Sequence, residues 1–159
     1  MVRSEKAKTA SLILALTVLV LLPFETRGIY SGASITDRCL YPFFHANIFH
    51  AMLNVWCLLS IVFNMRVTPF QLLLAYIVSV LYPAELFQSH EPTIGLSGVC
   101  YVLIGITFHQ FSNRLYFAVT TAIMFGIGHI LHASNNKLHL YTLAAGLIIG
   151  QIYKQWYKR

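Results

Sequence analysis

Apolar residues gather into six runs along this chain, parted by short breaks that carry polar residues, proline or glycine. The runs cover 8–24, 44–64, 68–87, 93–111, 114–132 and 137–155. A helix that crosses a bilayer needs about 20 mostly apolar residues, with a range of about 17 to 25. The pattern therefore predicts an all-α integral membrane protein, a bundle of six transmembrane helices in which residues 1–159 form a single membrane domain. The links at 65–67, 112–113 and 133–136 are tight, and those at 25–43 and 88–92 are more polar. Met1–Lys8 is basic and Thr9–Leu22 apolar, the order found in a signal peptide. Pro23–Arg27 offers no small-x-small cleavage site, so the expectation is a retained first span.

Composition strengthens the membrane reading. The chain is 57% hydrophobic and only 10% charged, against about 25% charged in ordinary soluble domains. A net charge of +6 would suggest nucleic acid in a soluble protein. Here the basic residues stand at the ends of apolar runs, where they act as topology signals, and no nucleic-acid partner is expected. Cys39, Cys57 and Cys100 show no paired spacing, so neither a disulfide framework nor a cysteine metal site is expected.

Charge also orients the bundle. With both termini in the cytoplasm, eight of the eleven basic residues fall inside, at Arg3, Lys6, Lys8, Arg66, Arg114, Lys154, Lys158 and Arg159. Arg27, Arg38 and Lys137 fall outside. That bias satisfies the positive-inside rule. The expected location is multi-pass in the plasma (inner) membrane. Spans 2, 4 and 6 then all run from outside to inside. His45, His50 and Asn54 lie early in span 2, Ser97 early in span 4 and His139 early in span 6, so these polar groups share one level in the outer half of the bilayer.

Polar groups at membrane depth are costly and usually mark function. A serine hydroxyl needs a base to become a nucleophile, and histidine, with an unperturbed pKa of about 6.5, is the natural partner. No Asp or Glu lies at that depth in spans 2, 4 or 6, so Ser97 and His139 suggest a dyad rather than a triad. His139, Thr142, Gly146 and Gly150 form one helical stripe, and Gly98 and Gly105 share a face of span 4. Small residues let membrane helices approach closely. Tyr101, four residues after Ser97, can pack on the histidine. His50 and Asn54 are an i,i+4 pair that, with the Ser97 backbone N–H, could hold an oxyanion. His45 lies about 140° round the helix from His50, which suits a structural hydrogen-bonding role. His129 and His132 are rival bases without a downstream glycine stripe.

His45-Ala-Asn-Ile-Phe-His50-Ala-Met-Leu-Asn54, Gly95-Leu-Ser97-Gly98-Val-Cys-Tyr101, and His139 with Gly146 seven residues on resemble the rhomboid intramembrane serine proteases. The match runs through most of the chain in the right order. The resemblance implies a minimal six-helix rhomboid core and an endopeptidase without metal or cofactor. It would hydrolyse peptide bonds in or beside the transmembrane segments of protein substrates within the lipid bilayer. It implies Ser97 as nucleophile, His139 as general base and acid, and His50 and Asn54 at the oxyanion, with His45, Tyr101, Gly95, Gly98 and Gly146 in support. Leu138 and Thr142 stand where the family pattern has smaller residues, and Asp37-Arg38 is what remains of a Trp-Arg pair in the first loop.

Two other classes stay open. A rhomboid-like pseudoprotease would bind membrane helices without cutting them. A small transporter or haem carrier would use the histidines, but leaves Gly95-Leu96-Ser97-Gly98 without a purpose. Oligomeric state is not legible in the sequence.

Overall fold

Short polar side chains at the breaks set where most helices begin. The computed structural model describes residues 2–21, 28–130 and 135–156. Among them are seven α-helices: α1 (Val2–Leu21), α2 (Ile35–Leu40), α3 (Ile48–Asn64), α4 (Pro69–Val80), α5 (Ser97–Thr107), α6 (Arg114–Ile130) and α7 (Asn136–Trp156). The regular structure of the described part is all-helical apart from a single antiparallel bridge between Ile29 and Thr93. Ser34 accepts from Asp37 N at the start of α2, and Asn47 from His50 N at the start of α3. Thr68 and Gln71 close a capping box on α4, with Pro69 in its first turn. Asn113 and Asn135 accept from Tyr116 N and Leu138 N at the starts of α6 and α7. Each cap satisfies an amide that the helix itself leaves open.

Several boundaries depart from the apolar runs: α1 begins at Val2 rather than at 8, and α3 at Ile48 rather than at 44. The run at 68–87 is helical only to Val80 in α4. Pro83 follows, and a proline disfavours helical backbone at the residue before it. The run at 93–111 shortens to α5, where Gly95 with φ +109° bars a helix upstream and a 3₁₀ turn at Phe108–Gln110 ends it. The polar link at 25–43 holds α2 and a further 3₁₀ turn, Tyr41–Phe43. An apolar run reports burial, and Tyr82 and Ala84 are buried in irregular chain. Among the described residues no single helix is long and apolar enough to cross a membrane. The bent pair Ile35–Phe43 and Ile48–Asn64, at 83°, passes on length and composition together.

Helix α5 is the centre of the bundle. Gly98, Val99, Cys100, Val102, Leu103, Gly105, Ile106 and Thr107 are all buried, as expected of a helix that is apolar all round. α4 and α7 pack on it, α3 lies alongside, and α1 lays Ala7, Ala15 and Val18 against α3. At the end of the bundle where α5 starts, Ile29, Tyr41, Tyr82, Ala84 and Leu138 form a second small core. Arg38 ties this layer together by donating to Tyr82 O at 3.1 Å and pairing with Glu85. At the other end Gln110 and the Arg66 backbone exchange two hydrogen bonds, 2.8 and 3.2 Å. Large apolar side chains such as Phe49, Trp56, Leu115 and Ile148 point outward and are exposed.

The α5–α7 contact is backbone on backbone. A Cβ added at Gly105 would come within 2.6 Å of Gly146 C and Leu147 N, and one at Gly150 within 2.7 Å of Ile106 O. A Cβ at Gly146 would collide with Val102 O. Gly146→Val should therefore force the helices apart and lower stability by about 1–3 kcal/mol, the usual cost of overpacking. Thermal unfolding in detergent measures it. Ala144→Val on the exposed face of α7 should stay within about 0.5 kcal/mol of wild type.

Candidate active site

The site grows from the start of α5. Gly95 takes φ +109°, which L side chains rarely adopt, and its N–H donates to Tyr41 O at 2.9 Å. Leu96 is buried and serves as the N-cap residue, but no side chain caps this helix. The first amides of α5 therefore have no side-chain oxygen over them. They lie at the positive end of the helix dipole, where negative charge is favoured.

Ser97 is the first residue of α5, and His139 lies in the first turn of α7, buried to 7% exposure. Ser97 Oγ and His139 Nε2 are 2.8 Å apart, a hydrogen-bonding distance. With the ring proton on Nδ1, Nε2 accepts from the serine hydroxyl. Tyr101 stacks on the imidazole, 4.5 Å between centroids with 27° between planes. Phe125 of α6 meets the same imidazole edge-on at 6.2 Å. The two rings leave the histidine little freedom to swing away from Ser97.

On the other side of Gly95 stand His50 and Asn54. A Cβ at Gly95 would lie 2.9 Å from His50 Nε2 and 3.4 Å from Asn54 Nδ2. The Ala46 N–H donates to His50 Nδ1 at 3.4 Å. That bond makes Nδ1 an acceptor and leaves the proton on Nε2, the nitrogen beside Gly95. Asn54 Nδ2 donates to His50 O at 2.9 Å and keeps a second N–H. His45 is buried edge-on to His50 at 5.1 Å, with Nδ1 3.1 Å from Phe43 O and Nε2 without a partner. It lies beside the cluster rather than in it.

Ser97, His139 and Tyr101 are thus brought together, with Gly95 between them and His50 and Asn54, His45 beside that cluster, and Gly146 further along the α5–α7 seam against Val102. Gly98 makes room for three neighbours at once, because a Cβ there would come within 2.6 Å of Tyr41 Oη, 3.3 Å of Ser79 Cβ and 3.5 Å of Leu138 Cδ2. Sequence reasoning missed Tyr41 and Phe125. Tyr41 sits in a polar link with no periodicity, and Phe125 is one aromatic residue among many in an apolar run. His132 and the side chain of His129, the rival bases, lie outside the described residues.

A family model for the rhomboid domain matches residues 33–156. The chain belongs to the rhomboid family. Neither the comparison with curated proteins nor that with solved structures gave a match. Rhomboid-family proteins are membrane proteins, and in general intramembrane serine proteases, with pseudoenzyme members as well. Membership accounts for the exposed apolar side chains of this rhomboid domain, which suit a lipid surround.

Two glycines with positive φ give a paired test. Gly32 has φ +88° with nothing within 4 Å of an added Cβ, whereas Gly95 faces His50. Gly32→Ala should lose only what backbone strain costs, about 1–3 kcal/mol at most. Gly95→Ala should lose more, because its methyl also displaces His50. The two thermal midpoints, measured side by side, check the order.

Proposed function

We propose that this chain is an active intramembrane serine endopeptidase that hydrolyses peptide bonds in or beside transmembrane segments of other membrane proteins. One observation carries the reading: a serine hydroxyl 2.8 Å from an imidazole nitrogen, at a helix start that no side chain caps. A packing serine has no need of either.

The chemistry follows from the positions. His139 Nε2 takes the Ser97 proton as Oγ attacks the scissile carbonyl carbon. The carbonyl oxygen becomes an oxyanion, and the Ser97 backbone N–H, His50 Nε2–H and the second Asn54 N–H are the donors on its side. Preorganised donors of this kind are usually the largest single contribution to such catalysis. The tetrahedral intermediate collapses as His139 returns the proton to the leaving amine. Water then attacks the acyl-serine, with His139 again as base, and frees the carboxylate. No carboxylate lies on α3, α5 or α7 to orient the imidazole. Tyr101 and Phe125 take that task by packing.

In this reading the six apolar runs span the bilayer with both termini in the cytoplasm, in the plasma membrane. The site opens toward the outer face, where water is at hand. Helix α5, with eleven residues, rises only about 16 Å, roughly half of a hydrocarbon core of about 30 Å. The non-helical stretch at 81–96 completes that depth. Such backbone is tolerated where it is buried in protein or lines a water-filled cavity, and Leu96, Tyr82 and Ala84 are buried.

Ser97→Ala and His139→Ala should each abolish cleavage of a model transmembrane substrate and leave thermal stability near wild type. A fluorophosphonate should label the wild type and not Ser97→Ala. Labelling that survives Ser97→Ala would place the reactive residue elsewhere.

A further inference from the structure

Two hydrogen bonds join the α5 side of the bundle to the α7 side at the same sequence offset. Ser97 meets His139 and Thr93 meets Asn135, each pair 42 residues apart. Further along, Val102 faces Gly146 and Ile106 faces Gly150. A nearly constant offset means that α5 and α7 run parallel in one register. Below the dyad the helices touch through glycine. That contact sets how closely they approach, but the glycines themselves offer no side chain to key one helix to the other at the level of the dyad.

Above the dyad the bond is of another kind. Asn135 Nδ2 donates to Thr93 Oγ1 at 2.7 Å. Both ends are fixed. Thr93 exchanges backbone hydrogen bonds with Ile29 at 2.9 and 3.1 Å. Asn135 caps α7, its Oδ1 accepting from Leu138 N at 3.0 Å and its carbonyl from His139 N at 3.1 Å. Each residue stands four positions before the reacting residue of its own strand of chain. The Thr93–Asn135 bond is therefore a second rung beside the Ser97–His139 bond, four residues earlier on each segment of chain.

We propose that Thr93 and Asn135 are positioning residues that set the register in which Ser97 meets His139. The proposal rests on the serine-protease reading. It gives the side-chain amide of Asn135 two tasks at once: its oxygen starts the helix that carries the base, and its nitrogen fixes that helix against the chain leading to the nucleophile. A displacement of about 1 Å between reacting groups can cost about a hundredfold in rate, so one rung has leverage beyond its own strength.

The full chain in detergent provides the test, read by fluorophosphonate labelling rate and by kinetics on a model transmembrane substrate. Thr93→Val keeps the shape and removes the acceptor. Asn135 is only half-buried, so water can reach the N–H that this variant frees. Labelling rate and kcat should fall about tenfold, while KM and the thermal midpoint stay at wild type. Thr93→Ser should restore both rates. Asn135→Ser keeps a capping oxygen but is too short to reach Thr93, and should show the same fall. The double variant Thr93→Val/Asn135→Ser should be no slower than either single one, as for two ends of one interaction. Wild-type rates in Thr93→Val, no rescue by Thr93→Ser, or additive losses in the double variant would overturn the positioning role alone. A wild type that neither labels nor cuts would overturn the protease reading, and this role with it.

Discussion

Gly105, Gly146 and Gly150 let two parallel helices meet backbone to backbone, and the meeting of Ser97 with His139 depends on that contact. Inside a bilayer there is no hydrophobic drive to bring one apolar helix to another. Close packing, hydrogen bonds between helices and lipid entropy do that work, and small residues permit it. The arrangement also explains why α5 is buried nearly all round. A central helix held from several sides has little freedom to tilt or withdraw, which keeps its first residue near α7.

The start of α5 breaks a rule that five other helices keep. α2, α3, α4, α6 and α7 each begin under a capping side chain, and α5 does not. An open helix start leaves amides unsatisfied, which is unfavourable unless water or a ligand reaches them. Gly95 adds a backbone conformation that other residues rarely adopt. Natural sequences tend to break local rules at functional sites. A cap over Ser97 would occupy the amides that the proposed reaction needs for its oxyanion, so the same feature that weakens the helix prepares the site.

Family and all-helical class were legible because they rest on periodic features. The i,i+4 pairs His50–Asn54 and Ser97–Tyr101 and the glycine stripe of α7 survive small errors in helix ends. The charge bias put Ser97 and His139 at one level, and the structure brings their side chains together. The layer at the start of α5 was not legible. Arg38 looked like the remnant of a motif, yet it binds Tyr82 O and Glu85 across the layer. Thr93 stood at the start of an apolar run and Asn135 in a tight link, and nothing in the pattern singled out either. Contacts among links follow from three-dimensional closure of the bundle, which no local period records. Hydropathy erred at 81–87 for a related reason: irregular chain can be as apolar as helix, here with Tyr82 and Ala84 buried and Leu81 and Leu86 exposed.

Leu138 and Thr142 show why residue size alone misjudges a helix contact. Both are bulkier than the family pattern has at these positions, which from sequence argues for a looser α5–α7 approach. The structure gives that bulk separate outlets. Leu138 turns into the core of Ile29, Tyr41, Tyr82 and Ala84, and the missing side chain of Gly98 leaves it space. Thr142 is fully buried, and its hydroxyl donates to Leu138 O at 2.8 Å and reaches His139 O at 3.1 Å, within its own helix. Neither side chain enters the seam at Gly146, where Val102 O fills the gap. Beside the histidine the smallness is supplied from the opposite helix by Gly98, which faces Leu138, and further along the seam by Gly105, which faces Gly146. Close approach is a property of the pair of faces, and a large residue on one can be met by a glycine on the other.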